Sequence, residues 1–263
     1  MKKIAFALVM GTFVGSAMAD VYTNGPVITD LGAGAGGGDV SRLNGDARAT
    51  TFGLAAGRNA AGPGPYWMCE NFSTGANAGG YLLQNVTTLA YISNSTAAIS
   101  GYLKVYSSDP SAGGTLIYGD FTNARGTSSA WRPNGVNVYR VSNESNLQNT
   151  SRQLQAVSMN LGAGVGLAAN STYFLVWTYS AASSTSIFSP MVTKDYSSGA
   201  GNAKVYWTGG SPQWRDALAN AADASSGVEL PYSATYAAVP EPGSIIAIGA
   251  GLAALVARRR RKA

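Results

Sequence analysis

The chain has 263 residues, one cysteine, no histidine and a formal net charge of +5. Those counts rule out a Ser-His-Asp triad and an internal disulfide, and they leave the usual His/Cys sites for zinc or copper without ligands. The pI near 9.3 points to nucleic acid only at first sight. Residues 20–239 carry eleven basic and twelve acidic side chains, a net charge of about −1, so the basic excess belongs to the two ends.

Lys2 and Lys3 open the chain, residues 4–14 are apolar, and Ala17-Met18-Ala19 supplies a small-x-small site. This is the pattern of a secretory signal peptide over residues 1–19, with Asp20 as the mature N-terminus. Residues 21–28 suit a first strand, at a sheet edge because of Pro26. The glycine-rich run 32–38 lacks the Lys-Ser/Thr ending of a phosphate-binding loop. Strands are expected at 48–54, 66–72 and 86–92, with a Gly-Pro turn at 62–65.

Residues 99–106 alternate most clearly. Ile99, Gly101, Leu103 and Val105 share one face, and Tyr102, Lys104 and Tyr106 the other. Further strands are expected at 115–121, 136–141, 153–161, 173–179, 187–193, 204–207 and 228–236. The run 173–179 is apolar enough for a central strand, with Trp177 in the core. Residues 216–224 are the one candidate for a short helix. About ten short strands between Gly/Pro/Ser/Asn turns indicate an all-β fold. The expectation is a single jelly-roll-like β-sandwich over residues 20–239.

The chain then changes character. Pro240 and Pro242 flank Glu241 and stop any strand. Residues 244–257 carry no charge, and Arg258, Arg259, Arg260, Arg261 and Lys262 follow. Fourteen helical residues span roughly 21 Å, against a ~30 Å hydrocarbon core. The basic cluster would hold that end on the cytoplasmic side. The expectation is a C-terminal transmembrane sorting helix that engages the inner membrane transiently.

Residues 240–263 resemble the PEP-CTERM sorting signal of Gram-negative bacteria, through Pro240-Glu241-Pro242, the apolar run and the arginine cluster. The resemblance implies export through the inner membrane, recognition by exosortase (a membrane-embedded processing enzyme) and removal of the tail. It also implies a place at the cell surface or in a biofilm matrix, in association with exopolysaccharide. The stretches Tyr102–Ser107, Ser171–Trp177 and Gly201–Lys204 are similar to sandwich passenger domains found ahead of such tails, most of which have no assigned activity.

Little else in the chain suggests chemistry. Cys69 has no histidine to activate it and reads as a small buried hydrophobe. Glu70, Glu144 and Glu229 are the carboxylates a polysaccharide hydrolase would draw on, and nothing in their spacing pairs them. Loop calcium could use Asp30, Asp39, Asp46 or Asp109, although no tandem acidic loop appears. No other cofactor is expected. Trp67, Trp131, Trp207 and Trp214 fall near strand ends, where they either stack on sugars or fill the core. Asn71, Asn85, Asn94, Asn143, Asn149 and Asn170 each begin an N-x-Ser/Thr sequon, which fits a secreted protein. The expected function is that of a non-enzymatic, structural or adhesive surface protein associated with exopolysaccharide. The alternatives are a carbohydrate-binding module and, behind it, a hydrolase.

Overall fold

The computed structural model describes residues 19–42, 53–58, 65–141, 146–182, 186–192, 201–208, 211–218 and 227–260. Among them run the strands β1 (Ala19–Thr23), β2 (Asp39–Arg42), β3 (Gly53–Arg58), β4 (Tyr66–Ser73) and β5 (Tyr81–Ile92). Next come β6 (Ile99–Tyr106), β7 (Leu116–Asp120), β8 (Gly126–Ala130), β9 (Val138–Val141) and β10 (Gln155–Leu167). The last are β11 (Thr172–Ala181), β12 (Ile187–Pro190), β13 (Lys204–Trp207), β14 (Gln213–Asp216) and β15 (Tyr232–Ala238), followed by one helix, α1 (Pro242–Arg260). The foreseen alternation is seen directly. In β6, Ile99, Leu103 and Val105 are fully buried. In β10, Val157 and Met159 are buried while Ser158 and Asn160 face solvent.

The strands close on themselves. Hydrogen bonding runs β11-β3-β12-β5-β10-β8-β6 and returns from β6 to β11, a closed seven-stranded barrel. This corrects the expected jelly-roll sandwich. Closure depends on short contacts at the seams. β11 meets β3 in parallel through only Tyr179↔Gly57 and Ser180↔Arg58. β8 links β6 to β10 through Ser100↔Thr127, Gly101↔Gly126 and Gln155↔Ala130 to Val157↔Ser128. Glycine permits both approaches: a Cβ at Gly57 would strike the carbonyl oxygen of Tyr179, and one at Gly126 that of Ser158. Alternation reveals which face of a strand is buried, but not which strands meet at a seam, so the ring was hidden.

Three flaps extend from the ring. β4, β13 and β14 continue outward from β11, β7 pairs with the outer half of β6, and β15 pairs with β5 and in turn receives β1. The barrel interior holds Leu83, Leu103, Met159, Leu175, Trp177 and Tyr179, each fully buried. A second cluster packs on the outer face of β4, β6 and β11 around Cys69, Tyr102, Phe121 and Val176.

α1 begins at Pro242, where proline's missing N–H costs nothing in a first turn. Its apolar residues surround the axis, and Ile246, Leu255 and Val256 are exposed. The uncharged stretch ends at Arg258, and Gly249 and Gly251 dilute it. Among the described residues, no helix is long and apolar enough to cross a membrane. The expected transmembrane sorting helix is therefore corrected to a helix of 19 residues with an arginine end that does not meet the length and apolarity of a membrane span. The helix expected at 216–224 lies mostly outside the described residues, and its first member, Asp216, ends β14. The signal-peptide positions 1–18, most of the turn expected at 62–65, and Asp46, Asn143, Glu144, Arg261 and Lys262 also lie outside them.

Candidate functional site

The flap of β4, β13 and β14 gathers aromatic rings on one face. Antiparallel register places Tyr206 opposite both Trp67 and Trp214. Their side chains therefore form a cross-strand row. Trp67 stacks on Tyr206 at 4.4 Å between ring centres and lies 6.4 Å from Trp214, edge-on. Phe121, just past β7, packs against Trp67 at 4.9 Å. Lys104 projects from the outer face of β6, with its ammonium 4.3 Å from the Phe121 centroid and 5.2 Å from that of Trp67. Both distances are within cation–π range. Burial lowers the Lys104 pKa, and the nearby Asp120 charge counters it.

Trp67, Lys104 and Phe121 line a cleft of about 660 Å³, whose walls also include Asp120, Thr122 and Thr208. Asp120 is held firmly. Its Oδ1 accepts from the Thr122 hydroxyl and from the backbone N–H groups of Thr122 and Asn123, each at 2.7 Å. Its Oδ2 pairs with Arg125 at 2.8 Å. The Thr122 hydroxyl and the Asn123 donors keep the Asp120 carboxyl far below the usual carboxylate range. The arrangement is an aromatic floor with a fixed carboxylate, a cation and two hydroxyls at its rim.

The four tryptophans separate. Trp67 and Trp214 share the row. Trp207, on the opposite face of the same flap, is 38% exposed, stacks near Tyr66 at 6.5 Å and lies under the Arg215 guanidinium at 5.5 Å. Trp131 is elsewhere, packed on Val27, Leu89, Tyr91 and Leu154, beside a second, mostly apolar cleft of about 580 Å³. Sequence reasoning missed Tyr206, Phe121 and Lys104. The first follows from strand register alone; the other two depend on how the β6–β7 hairpin folds over β4.

Glu70 and Glu229, unrelated in spacing, come together. Glu70 is 1% exposed, and its Oε1 accepts from the Leu230 N–H at 2.5 Å. Its Oε2 is buried and receives no donor. The Glu229 carboxylate lies against it, and accepts from the Asn24 amide at 3.0 Å and the Asn202 N–H at 2.9 Å. Burial first, then the Glu229 charge, pushes the Glu70 pKa well above its usual value. Glu70 therefore keeps its proton to higher pH than an ordinary carboxyl does, and that proton faces the Glu229 carboxylate, with which it can be shared. The two carboxyls meet through a side-chain hydrogen bond with Glu70 buried, without the separation of about 5 Å or more that glycoside hydrolysis uses. Burial also raises the pKa of the neighbouring Cys69 thiol, which suppresses the thiolate.

The acidic residues considered for calcium do not converge. Asp30 pairs with Arg42 at 3.3 Å. Asp39 accepts from Gly32 N–H and the Asn134 amide. Asp109 pairs with Lys204 at 2.7 Å. Among the described residues, no three His, Cys, Asp or Glu side chains gather where they could hold a metal ion.

The tail is placed by the barrel. β15 is paired on both sides, by β1 up to Ala237 and by β5 up to Ala238. Pro240 and Glu241 are exposed, and Pro242 starts α1. Ala19 and Asp20, which flank the expected signal-peptide cut, pair with Ala237 and Tyr236. No curated protein and no solved structure matches the chain. Residues 238–261 match the PEP-CTERM protein-sorting motif. With Pro-Glu-Pro, a helix and an arginine cluster in that order over this match, the chain carries a PEP-CTERM sorting signal, which implies an exported protein sorted by exosortase.

Proposed function

We propose that the barrel is a non-enzymatic structural or adhesive component of the cell surface or extracellular matrix, and that it holds exopolysaccharide through the Trp67 cleft. The observation that carries this reading is the conjunction of stacked aromatic rings with a fixed polar rim. An aromatic face stacks on the apolar face of a sugar ring, and Asp120, Thr122 and Thr208 offer hydrogen-bonding partners for hydroxyls. The near-neutral charge of residues 20–239 suits a ligand bound by stacking and hydroxyl contacts rather than by net charge.

The test is affinity electrophoresis of the exported protein in gels containing the source bacterium's own exopolysaccharide. Retardation is expected. Trp67→Ala should weaken it roughly tenfold, since losing about 1.4 kcal/mol of stacking changes an equilibrium by that factor. Trp131→Ala, far from the cleft, should leave it unchanged. Equal loss in both variants, or no retardation of a folded protein, would remove the glycan from the proposal.

A further inference from the structure

The approach to the sorting signal is tied down. β15 ends at Ala238. The next residue, Val239, donates its N–H to the Gly80 carbonyl at 2.9 Å, and its own carbonyl accepts from the Asn77 side-chain amide at 3.2 Å. The same amide also donates to the Gly80 carbonyl. Asn77 therefore bridges the turn before β5 and the chain that leaves β15. Gly79 makes the fit possible: a Cβ there would run into the Val239 carbonyl oxygen.

We propose that the Asn77–Gly80 turn is a strap that holds the entry to the Pro-Glu-Pro segment on the barrel, and that exosortase processes only molecules in which the strap has opened. The argument is one of backbone accounting. Only Pro240 and Glu241 lie between the strapped Val239 and the first residue of α1. An enzyme that takes its substrate as extended backbone needs a longer stretch of free N–H and C=O groups than two residues supply, and Pro240 has no N–H to offer. The missing length must come from Val239 and β15 or from the first turn of α1. The strap is the smaller barrier, because it is made of side-chain and turn hydrogen bonds at a half-exposed edge. This inference does not depend on the glycan reading.

The experiment follows processing of the full-length precursor by pulse-chase in the producing bacterium. Asn77→Ala and Gly79→Ala are compared with the natural chain. Amide exchange of the purified precursors is read at Val239 and, as a fold control, at Leu83. Each variant should speed exchange at Val239 and shorten the processing half-time by about fivefold, the effect of one net hydrogen bond. Exchange at Leu83 should not change. If Gly79→Ala fails to fold, Asn77→Ala alone decides. Processing that is unchanged or slower while Val239 exchanges faster overturns the proposal. So does Val239 exchange that is no faster in Asn77→Ala.

Discussion

Trp177→Ala is expected to remove about 3–5 kcal/mol of stability, a large share of the roughly 5–15 kcal/mol a domain commonly has. Trp177 is the largest fully buried side chain, and it sits in β11 between Met68 of β4 and Leu103 of β6. Its ring lies 6.3 Å from Tyr232 of β15, so one side chain touches the ring of strands and a flap together. Truncation leaves a void that four strands would have to fill, and the seams at Gly57 and Gly126 allow little backbone movement. Urea unfolding followed by fluorescence and by circular dichroism measures the loss. A cost near 1 kcal/mol would mean that the barrel collapses around the site and that the interior is less tightly packed than it looks.

The second large effect is a pH dependence that Glu70→Gln should abolish. Glu70 has a folded pKa raised above its ordinary value near 4.5, so the folded protein binds its proton more tightly than the unfolded chain. The stability it contributes is fully present below pH 4.5 and is lost as pH rises through the folded pKa. The groups facing it are the Glu229 carboxylate, the Leu230 N–H and the Asn71 backbone, while Cys69, its neighbour in β4, points to the opposite face. In the natural protein the urea midpoint should therefore fall from mildly acid to alkaline pH. Glutamine keeps an acceptor for Leu230 and supplies a permanent donor toward Glu229, so Glu70→Gln should hold its midpoint over the same range. Glu70→Ala orphans the Leu230 N–H and should cost about 1–3 kcal/mol at any pH. Parallel pH profiles for the natural chain and Glu70→Gln would refute the shared proton.

Individual strands were legible because period-2 burial leaves its mark on β6, β10 and β11 in the sequence. The three strands that were missed, β2, β8 and β14, are short and polar: Asp39-Val40-Ser41-Arg42, Gly126-Thr127-Ser128-Ser129-Ala130 and Gln213-Trp214-Arg215-Asp216. No apolar face marks them, and β8 is the strand that closes the ring. The jelly-roll expectation failed for that reason. The sorting motif was fully legible because it is contiguous. The aromatic cleft was half legible: Trp67 and Trp214 stand out by type, whereas Tyr206, Phe121 and Lys104 become partners only through register and the β6–β7 hairpin. Glu70 and Glu229 are far apart in the chain, and nothing local joins them.

The pairing of β1 with β15 also sets a timetable. Among the described residues β1 pairs with β15 alone, and β15 is the last strand before the sorting signal. During synthesis and export, the first strand to emerge must therefore wait for almost the entire chain. Its backbone donors and acceptors stay open until then, and closing so long a loop is slow. A molecule truncated anywhere before β15 would display β1 as a bare edge, ready to pair with another copy. Completion of the outermost sheet thus reports that synthesis has passed β15 and stands at the threshold of the sorting signal.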